Sequence, residues 1–236
     1  MRSEAESIKV AIIDYGLGNL FSVKHACEHV GMHGFVTSTK QEILAADAVI
    51  LPGIGAFGDA MQSLKRLDLI MPLREIAASS KPLIGICLGM QLFMTESYEF
   101  GQHQGLGLIE GPVVRFENPG NSSGKLKVPQ IGWNRIYKPH QANSLSVTEE
   151  QWGNSPLMGL PAGEFMYFVH SFYVKPEDPQ VVLSVSCYGQ IDFCSSLRQG
   201  NIFATQFHPE RSGPQGLQIY QNMIAFIREQ GKVKEN

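Results

Sequence analysis

Short apolar runs alternate with longer amphipathic segments over residues 8–95 of the chain. The apolar runs are 8–13, 48–51 and 82–86, and the amphipathic segments that follow them are 19–30, 58–67 and 88–95. Such alternation predicts βαβ units and a parallel sheet. Because Val10-Ala11-Ile12-Ile13 and Val49-Ile50-Leu51 are apolar without alternation, we expect strands that helices cover on both faces. The pattern therefore predicts an α/β fold, a three-layer sandwich around a mostly parallel sheet.

The pattern changes after Gly105, where shorter strand-like pieces are separated by glycine, proline and asparagine. These pieces are residues 111–116, 128–137, 164–172, 181–187, 191–197 and 201–207. They predict antiparallel additions to the same domain, closed by a final helix over residues 216–229. Since neither an internal repeat nor a long linker divides the sequence, we expect one domain over residues 1–236.

Composition narrows the range of functions. The chain has 236 residues, of which 43% are hydrophobic and 17% charged, with a formal net charge of -3. Because lysine and arginine do not cluster, we expect no binding of nucleic acid or of an anionic membrane. The first apolar run is short and Asp14 ends it, so neither a signal peptide nor a transmembrane span is predicted. The four cysteines are widely spaced, which indicates a reducing, cytoplasmic setting and no structural zinc site.

The pentapeptide Gly85-Ile86-Cys87-Leu88-Gly89 stands between an apolar run and a helix-like stretch. A strand, a sharp turn and a helix in this order can expose a nucleophilic side chain at the turn, as in the nucleophile elbow of serine hydrolases. Glycine on both flanks suits a strained turn that a Cβ atom would crowd. A lone cysteine is more often a small buried hydrophobe, but ligands of α/β folds bind beyond the carboxyl ends of strands. We therefore interpret Cys87 as a candidate nucleophile.

A general base and an orienting carboxylate follow the last strand-like piece. His208 and Glu210 lie two residues apart, with Pro209 between them. If this segment is extended, both side chains project to the same side, and the carboxylate can fix the tautomer of the imidazole. A structural histidine in a turn is the alternative interpretation. Together with Cys87, the residues provide a nucleophile, a base and an orienting group.

A Gly-x-Gly-x-x-Gly sequence occupies residues 53–58, after the second apolar run. The dinucleotide fingerprint needs an acidic residue at the end of the next strand, and Cys87 holds that place. We therefore expect a glycine-rich backbone whose N–H groups face a developing oxyanion, and no nucleotide cofactor. His25 and His29 have the spacing of a metal-ligand pair, but no third ligand completes a site, so no metal is predicted.

Five sequence motifs resemble those of one enzyme family. They are Pro52-Gly53-Ile54-Gly55, Gly85-Ile86-Cys87-Leu88-Gly89-Met90-Gln91, Ile131-Gly132-Trp133-Asn134, Phe168-Val169-His170-Ser171 and Gln206-Phe207-His208-Pro209-Glu210. Together they resemble the class I, or triad, glutamine amidotransferases, and within that class the glutaminase subunits of imidazole glycerol phosphate synthase. The resemblance extends over nearly the whole chain. It implies the flavodoxin-like fold of that class.

The resemblance implies a role for each matching residue. Cys87 would attack the side-chain amide of glutamine, His208 would pass a proton to the leaving ammonia, and Glu210 would orient His208. The N–H of Leu88 and an N–H of Gly53-Ile54-Gly55 would hold the oxyanion. The substrate-binding positions would be Gly55, Gln91, Glu99, His170, Ser171 and Phe172. The resemblance implies no cofactor.

A partner protein is also implied, because free ammonia is mostly protonated near neutral pH and then lacks a nucleophilic lone pair. In the family, a (β/α)8 barrel cyclase accepts the ammonia within a heterodimer. It makes imidazole glycerol phosphate and an aminoimidazole carboxamide ribotide, a step of histidine biosynthesis. Trp133, Asn134 and Arg211 match positions near that interface.

The sequence leaves three alternatives open. Gln130 stands where a histidine is common, and residues 192–196 depart from a usually more alanine-rich strand. A related glutaminase feeding a sugar-amidinating enzyme of surface polysaccharide synthesis is therefore the first alternative. The second is a non-catalytic docking subunit, against which the intact Cys87, His208 and Glu210 argue. The third is a stand-alone cysteine hydrolase, which would be fully active without a partner.

Overall fold

The computed structural model describes residues 7–117, 119–121, 124–139 and 152–232. The helices are α1 (Leu20–His29), α2 (Lys40–Ala45), α3 (Phe57–Arg66), α4 (Ile70–Ala77), α5 (Leu88–Leu92) and α6 (Gly213–Lys232). The strands are β1 (Lys9–Ile13), β2 (His33–Thr37), β3 (Ala48–Gly53), β4 (Leu83–Cys87), β5 (Met94–Ser97), β6 (His103–Gln104), β7 (Ile109–Arg115), β8 (Gly120–Asn121), β9 (Gly124–Lys125), β10 (Gln130–Ile136), β11 (Glu164–His170), β12 (Phe172–Val174), β13 (Val182–Tyr188), β14 (Ile191–Gln199) and β15 (Ile202–Thr205). Among these described helices, none is long and apolar enough to cross a membrane.

A seven-stranded sheet forms the centre of the molecule, in the order β13-β14-β15-β4-β3-β1-β2. The strands from β15 to β2 are all parallel to one another. Strands β14 and β13 extend this sheet in antiparallel fashion. The predicted α/β fold, with a mostly parallel sheet and antiparallel additions, is therefore confirmed.

Two apolar cores lie on opposite faces of this sheet. Val49 and Leu51 of β3 pack in the first core with buried residues of α2, α3 and α4. Ile50, between them, packs in the second core with buried residues of α1 and α6. Successive side chains of a strand point to opposite faces, which explains why neighbours in β3 enter different cores. Burial of both faces of the strand explains why the apolar residues of the sequence occur in runs and do not alternate with polar ones.

The position of β15 differs from the prediction. Residues 201–207 were expected as an antiparallel addition, but β15 lies parallel to β4 within the sheet, with Thr205 opposite Ile86. All four residues of β15 are buried, as a strand covered on both faces requires. Because parallel strands end at the same edge of a sheet, the segment after β15 lies beside the end of β4.

Two predicted elements are interrupted in the structure. The helix predicted for residues 88–95 ends at Leu92, and β5 begins at Met94. The strand predicted for residues 164–172 divides at Ser171 into β11 and β12. Both β5 and β12 pair with β7 in a second sheet of order β12-β7-β5-β6. Pairing between segments distant in sequence thus overrides the local apolar pattern.

Candidate active site

Strand β4 brings Cys87 into the site through a sharp turn. Cys87 is the last residue of β4 and has φ of +54° and ψ of -108°. Few non-glycine residues adopt such a conformation, and strain of this kind is characteristic of functional sites. Helix α5 begins at the next residue and is five residues long. The strand, turn and helix of the pentapeptide therefore occur in the predicted order.

The glycines on both sides of Cys87 are required by close packing. A Cβ atom on Gly89 would overlap the backbone carbonyl of Leu51 in β3. A Cβ atom on Gly85 would lie 2.6 Å from the ring of Phe93. Carbon atoms pack favourably only at roughly 3.5–4.0 Å. The elbow can therefore approach β3 only because both flanking residues lack side chains.

A short turn joins His208 to Glu210. The prediction that both side chains project to the same side assumed an extended segment, but Pro209–Arg211 form a single 3-10 turn. The turn brings Oε1 of Glu210 within 2.7 Å of Nδ1 of His208. Both side chains are buried, with 4% and 1% of their surfaces exposed. The other ring nitrogen of His208, Nε2, is also buried and has no hydrogen-bond partner among the described residues.

Opposing effects act on the pKa of His208. Burial alone lowers it, whereas the thiolate charge of Cys87 and the carboxylate of Glu210 together raise it to about 10. The raising effects prevail because both partners favour the protonated ring. His208 is therefore suited to hold a proton beside Cys87, while Glu210 fixes the orientation of its ring.

Gln206 and Val169 also contact the sulfur atom of Cys87. Nε2 of Gln206 lies 3.6 Å from Sγ, and the carbonyl oxygen of Val169 lies 3.9 Å from it. Gln206 is fully buried, and its Oε1 accepts a hydrogen bond of 3.1 Å from Nε2 of Gln91. Gln206 was not among the predicted site residues, although it lies two residues before His208. Its amide offers the thiolate a buried donor.

A cavity of about 230 Å³ opens beside Cys87. Its lining consists of Ile54, Gly55, Cys87, Leu88, Gln91, Glu99, Pro129, Val169, His170, Ser171 and Phe172. All the residues expected to bind substrate are among them, whereas Pro129 and Val169 were not predicted. Sites for drug-sized ligands usually occupy ~300–1,000 Å³, so this cavity suits a smaller molecule. In the described ranges, no three histidine, cysteine or acidic side chains are grouped to hold a metal ion.

One backbone carbonyl positions two residues of the cavity. Nε2 of Gln91 donates to the carbonyl oxygen of Phe172 at 2.9 Å, and Nδ1 of His170 lies 2.8 Å from the same atom. Burial, helped by the charge of His208, lowers the pKa of His170 to about 4 despite the bond to Phe172. His170 is therefore neutral near pH 7, donates from Nδ1 and keeps a lone pair on Nε2.

We expect His170 to make the fold sensitive to acid. Its pKa falls from 6.5 in the unfolded chain to about 4 in the folded protein, so only the unfolded chain gains a proton between these values. The contribution of neutral His170 to the free energy of unfolding is fully present above pH 6.5. About 3 kcal/mol of that free energy is lost as the pH falls towards 4. The raised pKa of His208 makes the free energy of unfolding depend on pH only above pH 6.5, and so outside this pH range.

Urea unfolding of wild type and of His170→Asn from pH 7 to pH 4 measures this effect. Asparagine can keep the bond to the carbonyl of Phe172 but does not titrate. The variant should therefore lose less stability than wild type over this range. Equal pH dependence in the two proteins would contradict the assignment.

Glu99 contributes a partly buried carboxylate to the cavity. Its Oε2 accepts the backbone N–H of Phe57, at the start of α3, at 2.6 Å. Burial raises the pKa of Glu99, while this hydrogen bond opposes the rise. The bond anchors the carboxylate, so that the cavity contains a fixed group suited to a cationic ligand.

The glycine-rich loop after β3 lies next to the elbow. Gly53 is opposite Cys87 in the register of β3 and β4. The hydroxyl of Tyr15 donates to the carbonyl of Pro52 at 2.8 Å, and a Cβ atom on Gly53 would overlap that hydroxyl. Gly55 has φ of +101°, which glycine adopts without strain. The start of this loop is therefore held in place, while Gly55 retains the freedom to reorient its peptide groups.

Trp133 and Arg211 contact the same tyrosine at the edge of the site. Trp133 of β10 is 55% exposed, and its ring meets that of Tyr167 edge-on at 6.0 Å. The guanidinium of Arg211 lies 4.5 Å from the centre of the Tyr167 ring. Asn134 instead donates to the carbonyl of Cys187 at 2.9 Å. The predicted interface residues therefore lie near one another, and Tyr167, which was not predicted, connects two of them.

Sequence comparisons identify the family of this chain. The model of the class-I glutamine amidotransferase family matches residues 11–226. The imidazole glycerol phosphate synthase subunit HisH of Rhodopirellula baltica is 42% identical over 212 residues, covering 90% of this chain and 95% of that protein. The subunit of the same name from Geobacter metallireducens is 44% identical over 214 residues, covering 90% and 96%.

Solved structures share the fold. PurLQS from Thermotoga maritima matches with a TM-score of 0.68 at 19% identity, covering 94% of this chain and 99% of that chain. A structure described as a glutamine amidotransferase matches with a TM-score of 0.66 at 18% identity, covering 94% and 98%. The chain belongs to the class-I glutamine amidotransferase family. Within that family, it is similar over most of its length to the HisH subunits of imidazole glycerol phosphate synthase.

Proposed function

We propose that the chain is the glutaminase subunit of an imidazole glycerol phosphate synthase, which hydrolyses glutamine and passes the ammonia to a partner. The buried arrangement of Cys87, His208 and Glu210 beside a small cavity is the observation that carries this proposal. Relatives named HisH, at 42% and 44% identity over most of the chain, support the synthase and hence histidine biosynthesis.

In the first half of the proposed reaction, Cys87 is the nucleophile. Its proton moves to His208, and the thiolate attacks the side-chain amide carbon of glutamine, so that a C–S bond forms and the carbonyl π electrons move to oxygen. Leu88 and the glycine-rich loop provide N–H groups for this oxyanion. Glu210, 2.7 Å from Nδ1, stabilises the imidazolium and its orientation.

In the second half, the intermediate collapses and its C–N bond breaks. His208 gives its proton to the nitrogen, and ammonia leaves a γ-glutamyl thioester on Cys87. Water then attacks the thioester as His208 accepts a proton from it, and the C–S bond breaks. Glutamate leaves, and the proton on His208 is available to the thiolate once more. Proton transfer and nucleophilic attack complete the hydrolysis, so the chemistry requires no cofactor.

Gln91 and Glu99 hold the amino-acid head of glutamine in this proposal. Nε2 of Gln91 already donates to the carbonyl of Phe172 and to Oε1 of Gln206, so Gln91 offers the ligand its carbonyl oxygen. That acceptor and the anchored carboxylate of Glu99 suit an α-ammonium group. Gly55, His170, Ser171 and Phe172 line the remainder of the cavity.

Trapping the thioester tests the glutaminase chemistry. Acid quenching during turnover of glutamine should leave a glutamyl group on the peptide that contains Cys87, as detected by mass spectrometry. Cys187 is an internal control because it is an exposed free cysteine outside the cavity. A glutamyl group on the Cys187 peptide and none on the Cys87 peptide would contradict the assignment of Cys87 as the nucleophile.

The exposed side of β10 and β11 is the proposed partner surface, which we call the hairpin face. It consists of Ile131, Trp133, Phe165 and Tyr167. The first three are 63%, 55% and 44% exposed, an unusual grouping of large apolar side chains on a soluble protein. The same strand β11 carries Val169, whose carbonyl contacts Sγ of Cys87. A partner docked on the hairpin face would lie close to the source of ammonia.

We propose that the hairpin face binds a (β/α)8 barrel cyclase as a heterodimer. The names of the curated relatives describe subunits of a synthase and so support a partner.

We also place the complex in the cytoplasm, since all four cysteines are free. Purification of the complex from native cells tests the pathway. Capture of a sugar-amidinating enzyme in place of the barrel would overturn the histidine assignment.

Replacing Trp133 with glutamate should weaken the complex by at least about thirtyfold, the effect typical of an aromatic hot spot. Because the side chain is half-exposed, thermal unfolding of the isolated subunit should change little. Met71→Glu is the matched control, since Met71 is 61% exposed on α4, away from the hairpin face. Calorimetric titration with the barrel measures both affinities. If Trp133→Glu bound the barrel as tightly as wild type does, the interface would lie elsewhere on the protein.

A further inference from the structure

The hydroxyl group of Tyr220 has no role in the reaction described above. Tyr220 lies in α6 with 0% of its surface exposed. Its hydroxyl oxygen is buried and has no hydrogen-bond partner in the described part of the chain. Native proteins rarely bury a hydroxyl without a partner, because the lost hydration is costly. A group that accepts from this hydroxyl is therefore expected nearby.

Glu210 provides a buried oxygen atom that lacks a hydrogen-bond donor among the described residues. Its Oε1 faces Nδ1 of His208, but its Oε2 is buried and equally without a partner among the residues described. A carboxylate oxygen only accepts hydrogen bonds, whereas the tyrosine hydroxyl donates one. The two unpaired atoms are thus a donor and an acceptor.

Packing of α6 directs Tyr220 towards Glu210. Gly216 touches the turn that carries Glu210, since a Cβ atom there would overlap the carbonyl of Pro209. Tyr220 follows four residues later and so shares that face of the helix. Side chains in helices lean towards the N-terminus, which directs the ring over Gly216. Burial first, and then the charge of Glu210, raise the pKa of Tyr220 well above its usual value, as this proximity requires.

Of the two titratable groups that act on Tyr220, Glu210 is the charged one. Cys27 of α1 is the other titratable group that acts on Tyr220. Burial raises the pKa of Cys27 to about 12, so its thiol stays neutral and is a weak acceptor. A pocket of about 360 Å³ between α1 and α6 is lined by Ala26, Leu217 and Glu210. This pocket gives water a route to the neighbourhood of the carboxylate.

We propose that Tyr220 is a positioning residue of the glutaminase site, whose hydroxyl donates through one bridging water to Oε2 of Glu210. The water donates to Oε2 and accepts from the hydroxyl, which satisfies both buried atoms. Held at Oε2, the carboxylate keeps Oε1 directed at His208. This inference rests on the proposed function, because it assigns Glu210 to the triad.

Replacing Tyr220 with phenylalanine tests the contact. We expect kcat for glutamine hydrolysis by the complex to fall about tenfold, with KM unchanged, because Tyr220 does not line the substrate cavity. In a Glu210→Gln background, the same replacement should cause little further loss, since both changes disturb one contact. Asn222→Ala is the control on α6. It removes bonds to the carbonyls of Pro156 and Met158, and should lower the unfolding temperature while leaving kcat unchanged.

Unfolding measurements provide a second test that does not depend on activity. If the hydroxyl is paired, Tyr220→Phe lowers the unfolding temperature, and this effect disappears in the Glu210→Gln background. An unchanged or raised unfolding temperature with wild-type kcat would overturn the inference, as would equal losses in both backgrounds. If the wild-type complex releases no glutamate, the proposed function fails instead, and the unfolding cycle alone decides the contact.

Discussion

Replacing Cys87 with alanine should lower glutamate release from glutamine at least about a thousandfold, because none of the other three cysteines lines the cavity. The fold should persist, since the replacement removes one sulfur atom and adds no contact. A coupled glutamate assay on the complex, together with circular dichroism, measures both effects. Cys187→Ala is the matched control and should keep wild-type turnover, because Cys187 is exposed and outside the cavity.

The same variant separates the glutaminase from a docking subunit. With Cys87→Ala, the synthase should lose its glutamine-dependent activity but retain activity with added ammonia at alkaline pH, where the unprotonated base is available. The partner should still bind, because Cys87 does not belong to the hairpin face. Glutamine-dependent synthesis at the wild-type rate would show that this cysteine is not the nucleophile and would favour the docking role.

Replacing Gly89 with alanine should have the largest effect on stability, a loss of at least about 3 kcal/mol. The new Cβ atom would overlap the carbonyl oxygen of Leu51. This neighbour is backbone of β3, so no side-chain rotation can relieve the overlap. Either β3 or the elbow must move, and the movement would also displace Cys87 from the cavity.

Gly231→Ala provides the control for this prediction. Gly231 also lies in a helix, α6, but a Cβ atom there would have nothing within 4 Å. Alanine has the higher helix propensity, so this variant should be neutral or more stable by up to about 1 kcal/mol. Urea unfolding compares the two variants with wild type. Wild-type stability of Gly89→Ala would mean that β3 and α5 do not approach as closely as described.

Local sequence patterns predicted the features that depend on neighbouring residues. The strand and turn at Cys87 follow from an apolar run and two glycines, and the overlaps that Cβ atoms would cause at Gly85 and Gly89 explain why glycine is needed. The pairing of His208 with Glu210 also depends on short separation, although a 3-10 turn, and not an extended segment, brings the two together.

Features that join distant segments were not predictable in the same way. Gln206 lies in the same short motif as His208, but its bonds to Cys87 and Gln91 link residues more than 100 positions apart. Tyr220 follows the helical pattern of α6 as an ordinary core residue. Only the packing of Gly216 on the turn below brings its hydroxyl into the neighbourhood of Glu210.

The sequence by itself determined the α/β class, the glutamine amidotransferase family and the nucleophile elbow, because periodicity and short motifs depend on residues close in the chain. The tertiary structure alone decided the place of β15. That strand was expected among antiparallel additions, and it lies parallel to β4, so that both strands end at one edge of the sheet. The physical reason is burial: four consecutive buried residues need cover on both faces, which the middle of the sheet provides. This placement brings His208 to Cys87.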